Sequence, residues 1–277
     1  MSAEGWRVPA LELWHFTRKE AQACIFAGLF FLAVFLVPRG GVLGVPRYDL
    51  LLGIALALQW GLWRLGLETL DEIKAIAAFH LLGLALELFK TSSAIGSWSY
   101  PEAAYTKLFG VPLFSGFMYA AVGSYIIQAW RLFDLRILHH PPYWMAGAMA
   151  GALYLNFFTQ HYIGDWRWYL AAGALGLYAR STVVFRPWQR DLRMPLPLAL
   201  VLIGFFIWLA ENLGTFLGLW RYPNQLGAWA TVHVSKWSAW SLLVLMSFTL
   251  VAQLKHIKAR IHVPGDPAPG WLRTSRE

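Results

Sequence analysis

Apolar positions along this chain come in long runs, broken by short stretches rich in Gly, Pro and charge. The runs fall near residues 21–37, 49–66, 75–91, 112–131, 143–160, 168–186, 196–217 and 236–254. Runs of that length suit helices that cross a hydrocarbon layer of about 30 Å at about 1.5 Å per residue. The pattern therefore predicts an all-α fold, a polytopic membrane helical bundle of about eight transmembrane helices spanning 21–254. Pro38-Arg-Gly-Gly41 and Val45-Pro-Arg-Tyr48 punctuate the first turn. The charged segment Leu67–Lys74 reads as a solvated turn. Residues 1–20 mix Trp6, Leu11, Trp14 and Phe16 with Arg7, Arg18 and Lys19, as an interfacial N-terminal segment does. Residues 255–277, with Pro264-Gly-Asp-Pro-Ala-Pro-Gly270, read as a flexible tail.

Two of the runs end alike. Glu87 is followed by Thr91 and then Gly96-Ser-Trp-Ser-Tyr-Pro101; Glu211 is followed by Thr215 and then Gly218-Leu-Trp-Arg-Tyr-Pro223. The common string, Glu, Thr four residues on, then Gly-x-Trp-x-Tyr-Pro, points to an internal duplication. The expected arrangement is a parallel 4+4 repeat, with halves near 21–135 and 143–254 and an axis along the membrane normal.

Composition agrees with a membrane class: 58% hydrophobic and 14% charged residues. The net charge of +8 comes from basic residues between the apolar runs, a pattern of membrane orientation rather than of nucleic-acid binding. With the N-terminus placed in the cytoplasm, sixteen of the 23 Lys and Arg lie on cytoplasmic flanks and seven opposite. The expectation is a multi-pass cell-membrane protein with both termini inside and both Trp-x-Tyr-Pro segments outside. The single cysteine, Cys24, excludes a disulfide framework. The start, Met1-Ser-Ala-Glu-Gly-Trp-Arg7, has no basic region leading into a short apolar core, so a cleaved signal peptide is not expected.

Candidate chemistry centres on Glu87 and Glu211. A carboxylate inside an apolar run is costly, and burial raises its pKa, which fits it for proton donation. His80 shares a helical face with Glu87, two turns earlier. These three are the candidate catalytic residues. Thr91 and Thr215 lie one turn after each Glu, placed to hydrogen-bond it or a backbone carbonyl. Trp98, Tyr100, Trp220 and Tyr222 suit either an interfacial aromatic belt or a cage for a cation. Two polar clusters, Asn156, His161 and Asp165, and His233 with Lys236, sit on the same predicted side and complete the candidate substrate-binding set. Glu87, Glu211, His80, His161, Asp165 and His233 could supply nitrogen and oxygen ligands, but no His-x-x-x-His or Glu-x-x-His pair occurs among them, so no metal is expected.

On Glu87–Pro101, Asn156–Asp165 and Glu211–Lys236, the chain resembles the YoaT-like family of uncharacterised bacterial integral membrane proteins. The resemblance runs from about residue 15 to 260 and implies no activity. The Glu followed by Gly-x-Trp-x-Tyr is also similar, more distantly, to the membrane carotenoid hydratases and the small-subunit-type lycopene cyclases. That likeness implies protonation of an isoprenoid double bond by Glu87 or Glu211, with the tryptophans and tyrosines flanking the cation. The chain lacks the cyclases' Pro-x-Glu-Glu acidic pair. The expected function is an acid-catalysed intramembrane enzyme acting on an isoprenoid or other lipid-soluble substrate, without a cofactor. The alternative is a transporter or lipid-binding membrane protein without catalysis. The expected partners are membrane lipids and a hydrophobic small molecule, not nucleic acid.

Overall fold

The computed structural model describes residues 4–267 and 269–273, apart from the side chains of 4–7 and 273. Within these residues the chain forms helices α1 (Glu4–Ala23), α2 (Ile25–Leu36), α3 (Arg47–Arg64), α4 (Leu70–Lys90), α5 (Ser115–Leu132), α6 (Tyr143–Thr159), α7 (Arg167–Tyr178), α8 (Leu196–Phe216), α9 (Ser235–Val251), α10 (Lys255–Lys258) and α11 (Gly270–Arg273). Five short strands accompany them: β1 (Lys107–Leu108), β2 (Val111–Pro112), β3 (Arg136–Leu138), β4 (Thr182–Phe185) and β5 (Leu192–Pro195).

Local chemistry fixes the helix that carries the first acid. Thr69 accepts from the Glu72 backbone N–H while the Glu72 carboxylate accepts from the Thr69 N–H, a capping box that starts α4. Arg131 of α5 and His256 of α10 close on the same Glu72 carboxylate. The start of α4 is thereby tied to two neighbours. At its other end Thr91 caps the helix, its hydroxyl donating to the Glu87 carbonyl at 2.8 Å. α8 starts after Pro195, with a second proline in its first turn, where a missing N–H costs nothing.

Two helical hairpins make the centre: α4 packs along α5, and α8 along α9, with α5 and α6 against α9. α5 is enclosed on nearly every face. β1 and β2 form a tight hairpin whose turn uses Phe109 (φ 48°) and Gly110 (φ 86°). β3, β4 and β5 form an antiparallel sheet, with Arg136 opposite Val184 and Thr182 opposite Pro195. Residues 257–263, part of the predicted tail, lie against this sheet. Ile137 bridges Ile261, and Ile257, Ile261 and Val263 are buried.

The eight-span bundle is overturned. Among the described residues only α8 is long and apolar enough to cross a membrane, or two segments if Val8–Ala23 and Ile25–Leu36, bent by 65° to one another, count as one. The physical reasons differ by run. α2 and α7 have 12 residues each and α6 and α9 have 17, lengths of about 18 to 26 Å that fall short of a hydrocarbon core. α3 carries Arg47, Asp49 and Arg64, and α4 carries five charged residues. α5 is broken by Ser115, Ser124 and Gln128 and buried inside the protein. The run at 168–186 leaves its helix at Tyr178 and ends as the short strand β4.

With the spans go the multi-pass topology and the termini assigned from flank charges. The parallel 4+4 repeat goes too. The likeness between halves extends only to the α4–α5 and α8–α9 hairpins, because α3 precedes the first and β5 the second.

Candidate functional site

The duplicated loops after α4 and α8 meet. Ser99 and Arg221 exchange backbone hydrogen bonds, each N–H donating to the other's carbonyl at 2.9 Å. This reciprocal pair pins the two Trp-x-Tyr-Pro segments side by side and turns each loop back over its own acid. Glu87 is buried on α4, and its carboxylate accepts three hydrogen bonds. Trp98 Nε1 (2.7 Å) and Tyr100 Oη (2.8 Å) donate to Oε2, and Tyr119 Oη (2.8 Å) donates to Oε1. Glu211, buried on α8, accepts from Tyr222 Oη at 2.5 Å and Trp240 Nε1 at 2.7 Å. Each acid thus takes a tyrosine from its own loop and an aromatic donor from the second helix of its hairpin. The two nests touch: Trp98 meets Tyr222 edge to face at 6.0 Å, and Tyr119 meets Trp240 at 6.2 Å.

Glycines make this approach possible. A Cβ on Gly83 would lie 2.4 Å from the Tyr119 ring, and one on Gly214 would lie 2.5 Å from the Trp220 ring. Gly83 stands one turn before Glu87, so the bare backbone there lets Tyr119 lie flat on α4 and reach the carboxylate.

Both acids border one cavity of about 1110 Å³, lined almost wholly by apolar side chains. It runs between the hairpins from Glu87, Trp98, Glu211, Trp220 and Tyr222 to Phe133, Phe185 and Phe248, with Glu20 and Cys24 also on its wall. At the acid end stand Lys90, Gln160, His161, Arg167 and Lys236. Lys90 Nζ lies 2.8 Å from His161 Nε2. Lys236 Nζ lies over the Tyr222 ring at 4.7 Å and the Trp98 ring at 5.4 Å.

Burial pushes the Glu87 carboxyl up to about 7, against the pull of its three donors. Burial also brings Lys90 down to about 8, helped by the positive charges of Lys236 and Arg167. Burial lowers Lys236 as well, opposed by the Glu211 carboxylate.

The other predicted residues divide. Glu87, Glu211, Trp98, Trp220, Tyr222, His161 and Lys236 all line the cavity. Tyr100 reaches Glu87 from behind, its ring packed on Tyr48 and Phe114. His80 lies outside the cavity lining, 4.5 Å from the Phe117 ring, and a Cβ on Gly116 would meet its Nδ1 at 2.6 Å. Thr91 serves its helix end, and Thr215 bonds the Asn212 carbonyl and Trp229. Asn156 and Asp165 tie the α6–α7 turn: Asn156 Oδ1 accepts from the Trp166 N–H, and Asp165 pairs with Arg167 at 3.0 Å. His233 starts α9, accepting from the Ser235 N–H at 3.2 Å.

Tyr119, Trp240 and Lys90 are further site residues that the motif reading passes over, whereas Gln160 and Arg167 fall in or beside the predicted cluster of Asn156, His161 and Asp165. Lys90 left a signal, a second charge one turn after Glu87 inside the same apolar run. Tyr119 and Trp240 left none, being single aromatics within aromatic-rich helices.

Among the described residues no group of three or more His, Cys, Asp or Glu is placed to hold a metal ion. The Glu-x-x-His pair at Glu12 and His15 instead secures a loop. Glu12 accepts from the backbone N–H groups of Trp188, Gln189 and Arg190, and His15 stacks on Trp188.

A family model described as "Protein of unknown function (DUF817)" matches residues 12–248, which include both acids, both loops and the basic residues at the acid end of the cavity. The chain belongs to the DUF817 family. It is similar to the "Uncharacterized protein YoaT" of Bacillus subtilis (strain 168), at 47% identity over 247 residues, which cover 89% of this chain and 93% of that protein. No solved structure matches it significantly. Neither description carries an activity, and neither supports the expected likeness to carotenoid hydratases and lycopene cyclases.

Proposed function

We propose that this DUF817 protein binds one elongated, largely apolar molecule in the cavity between its hairpins and exchanges a proton with it through Glu87 and Glu211. The observation that carries this reading is the pairing of two buried carboxylates at one end of an apolar cavity of about 1110 Å³. Ligand sites have this character, an apolar wall with a few convergent polar groups. Glu87, titrating near 7, is poised between its two protonation states at neutral pH, which is what a proton-transferring acid needs. Its donors hold the carboxylate in one orientation and stabilise the charge it acquires on giving up the proton.

The molecule reaches the cavity from a lipid phase. α8 is long and apolar enough to cross a membrane and exposes Leu198, Leu202, Phe206, Leu209, Leu213 and Phe216. α2 exposes Leu29, Leu32, Phe35 and Leu36. Apolar surface of that extent on two elements marks contact with lipid or another protein.

Glu87→Gln and Glu211→Gln test the proton. Each keeps the size of the side chain and an accepting oxygen but removes the titrating group. Expressed in a deletion strain, both variants should accumulate to near wild-type amounts and still leave the extracted lipids as the deletion leaves them. Wild-type lipid profiles from both variants would refute proton transfer.

A further inference from the structure

The acid end of the cavity carries positive charge that proton transfer does not use. Lys90 is a buried lysine, and Lys236 stands across the same mouth. Among the described residues neither forms an ion pair. Lys90 meets only the ring nitrogen of His161, and Lys236 only the faces of Trp98 and Tyr222. Arg167 adds a third cation, partly matched by Asp165. Like charges gathered at a half-dry mouth repel one another, and a buried ammonium that carboxylates attract without pairing is costly, as Asp165 attracts Lys90 and Glu211 attracts Lys236. An anion there would relieve both.

We propose that this mouth binds the anionic head of an amphiphile, a phosphate ester in chemistry, with Lys90, Lys236 and Arg167 as its charged contacts and the apolar chain running down the cavity toward Phe133 and Phe185. The inference rests on the cavity's being an apolar-ligand site. A phosphate monoester carries nearly two negative charges and three strong acceptor oxygens, enough for several cations at once. The ring of Trp98 lies under Lys236 while its Nε1 donates to Glu87, so the acid stands just inside the head. The pair Glu87 and Glu211 thus faces the first carbons of the chain, next to the bond that joins it to the phosphate.

Calorimetric titration of the full-length protein, held in an uncharged detergent, tests this with dodecyl phosphate, dodecanol and inorganic phosphate. Dodecyl phosphate should bind at least about tenfold tighter than dodecanol. It should also bind at least about a hundredfold tighter than inorganic phosphate, because the chain buries many methylenes. Lys90→Met and Lys236→Met should each lose about tenfold for dodecyl phosphate and leave dodecanol unchanged, which also shows that the variants are folded. Rising salt should weaken only the phosphate ester in the wild-type protein. Equal affinity for dodecanol and dodecyl phosphate would overturn the head-group site and leave the apolar-ligand reading standing. Inorganic phosphate matching dodecyl phosphate would overturn it in favour of a free anion. Failure of both dodecyl compounds to bind would remove the apolar-ligand reading and this inference with it.

Discussion

At residue scale the site depends on what is missing at position 83. Gly83→Ala puts a methyl 2.4 Å from the Tyr119 ring, too close for either helix to keep its place. It should destabilise the protein by about 1–3 kcal/mol, as overpacking does, and displace Tyr119 from Glu87. Gly147→Ala, also in a helix but facing open space, should be neutral or stabilise by about 0.5–1 kcal/mol. Thermal unfolding of the two variants checks the contrast; equal effects would mean that Tyr119 is not held by this contact.

Glu87 makes a second prediction, on pH. Its folded pKa is raised above the unfolded one, so folding favours its protonated form. The contribution is therefore full below about pH 4, the unfolded value, and is lost as pH rises through about 7. Unfolding measured across this window should show wild-type stability falling relative to Glu87→Gln. A difference that does not vary with pH would contradict the burial of a titrating acid. The two acids and their Trp-x-Tyr-Pro partners were legible because they recur as a string. Tyr119 and Trp240 were not, because their roles come from the packing of α5 on α4 and α9 on α8, which no local pattern encodes.

At the scale of elements, α4 shows how the site is held from a distance. Its capping box is shared with Arg131 and His256, so Glu72 binds three elements whereas Thr69 binds only its own helix. Thr69→Ala should cost about 1 kcal/mol, a typical cap. Glu72→Ala should cost more, since it also leaves Arg131 without its carboxylate. Chemical denaturation ranks the two, and a smaller loss for Glu72→Ala would contradict the shared anchor.

Apart from α7, the apolar runs marked the positions of α2 to α9 closely; the run at 196–217, for instance, is α8 at Leu196–Phe216. What they did not reveal is length set against burial. An apolar run of 12 to 17 residues looks the same whether it meets lipid or the inside of a cavity-bearing protein. β4 was hidden for a related reason. Thr182-Val-Val-Phe185 is β-branched and apolar, and it reads as the continuation of the helix before it until Arg136 and Arg193 are seen opposite Val184.

At the scale of the whole molecule, two similar hairpins flank one apolar cavity. The motif duplication suggested two halves enclosing a centre, and the meeting of Ser99 with Arg221 is its visible trace. The cavity's extent toward Phe133 and Phe185 lay beyond sequence reasoning, since it is shaped by α1, β4 and α5 together. Native mass spectrometry of the purified full-length protein, released from detergent, tests the central claim most directly. The expected result is about one co-purifying amphiphile per chain, lost when Ala199→Trp on α8 and Ala239→Trp on α9 fill the cavity. A protein that carries no such molecule, or carries it equally with the cavity filled, would contradict it.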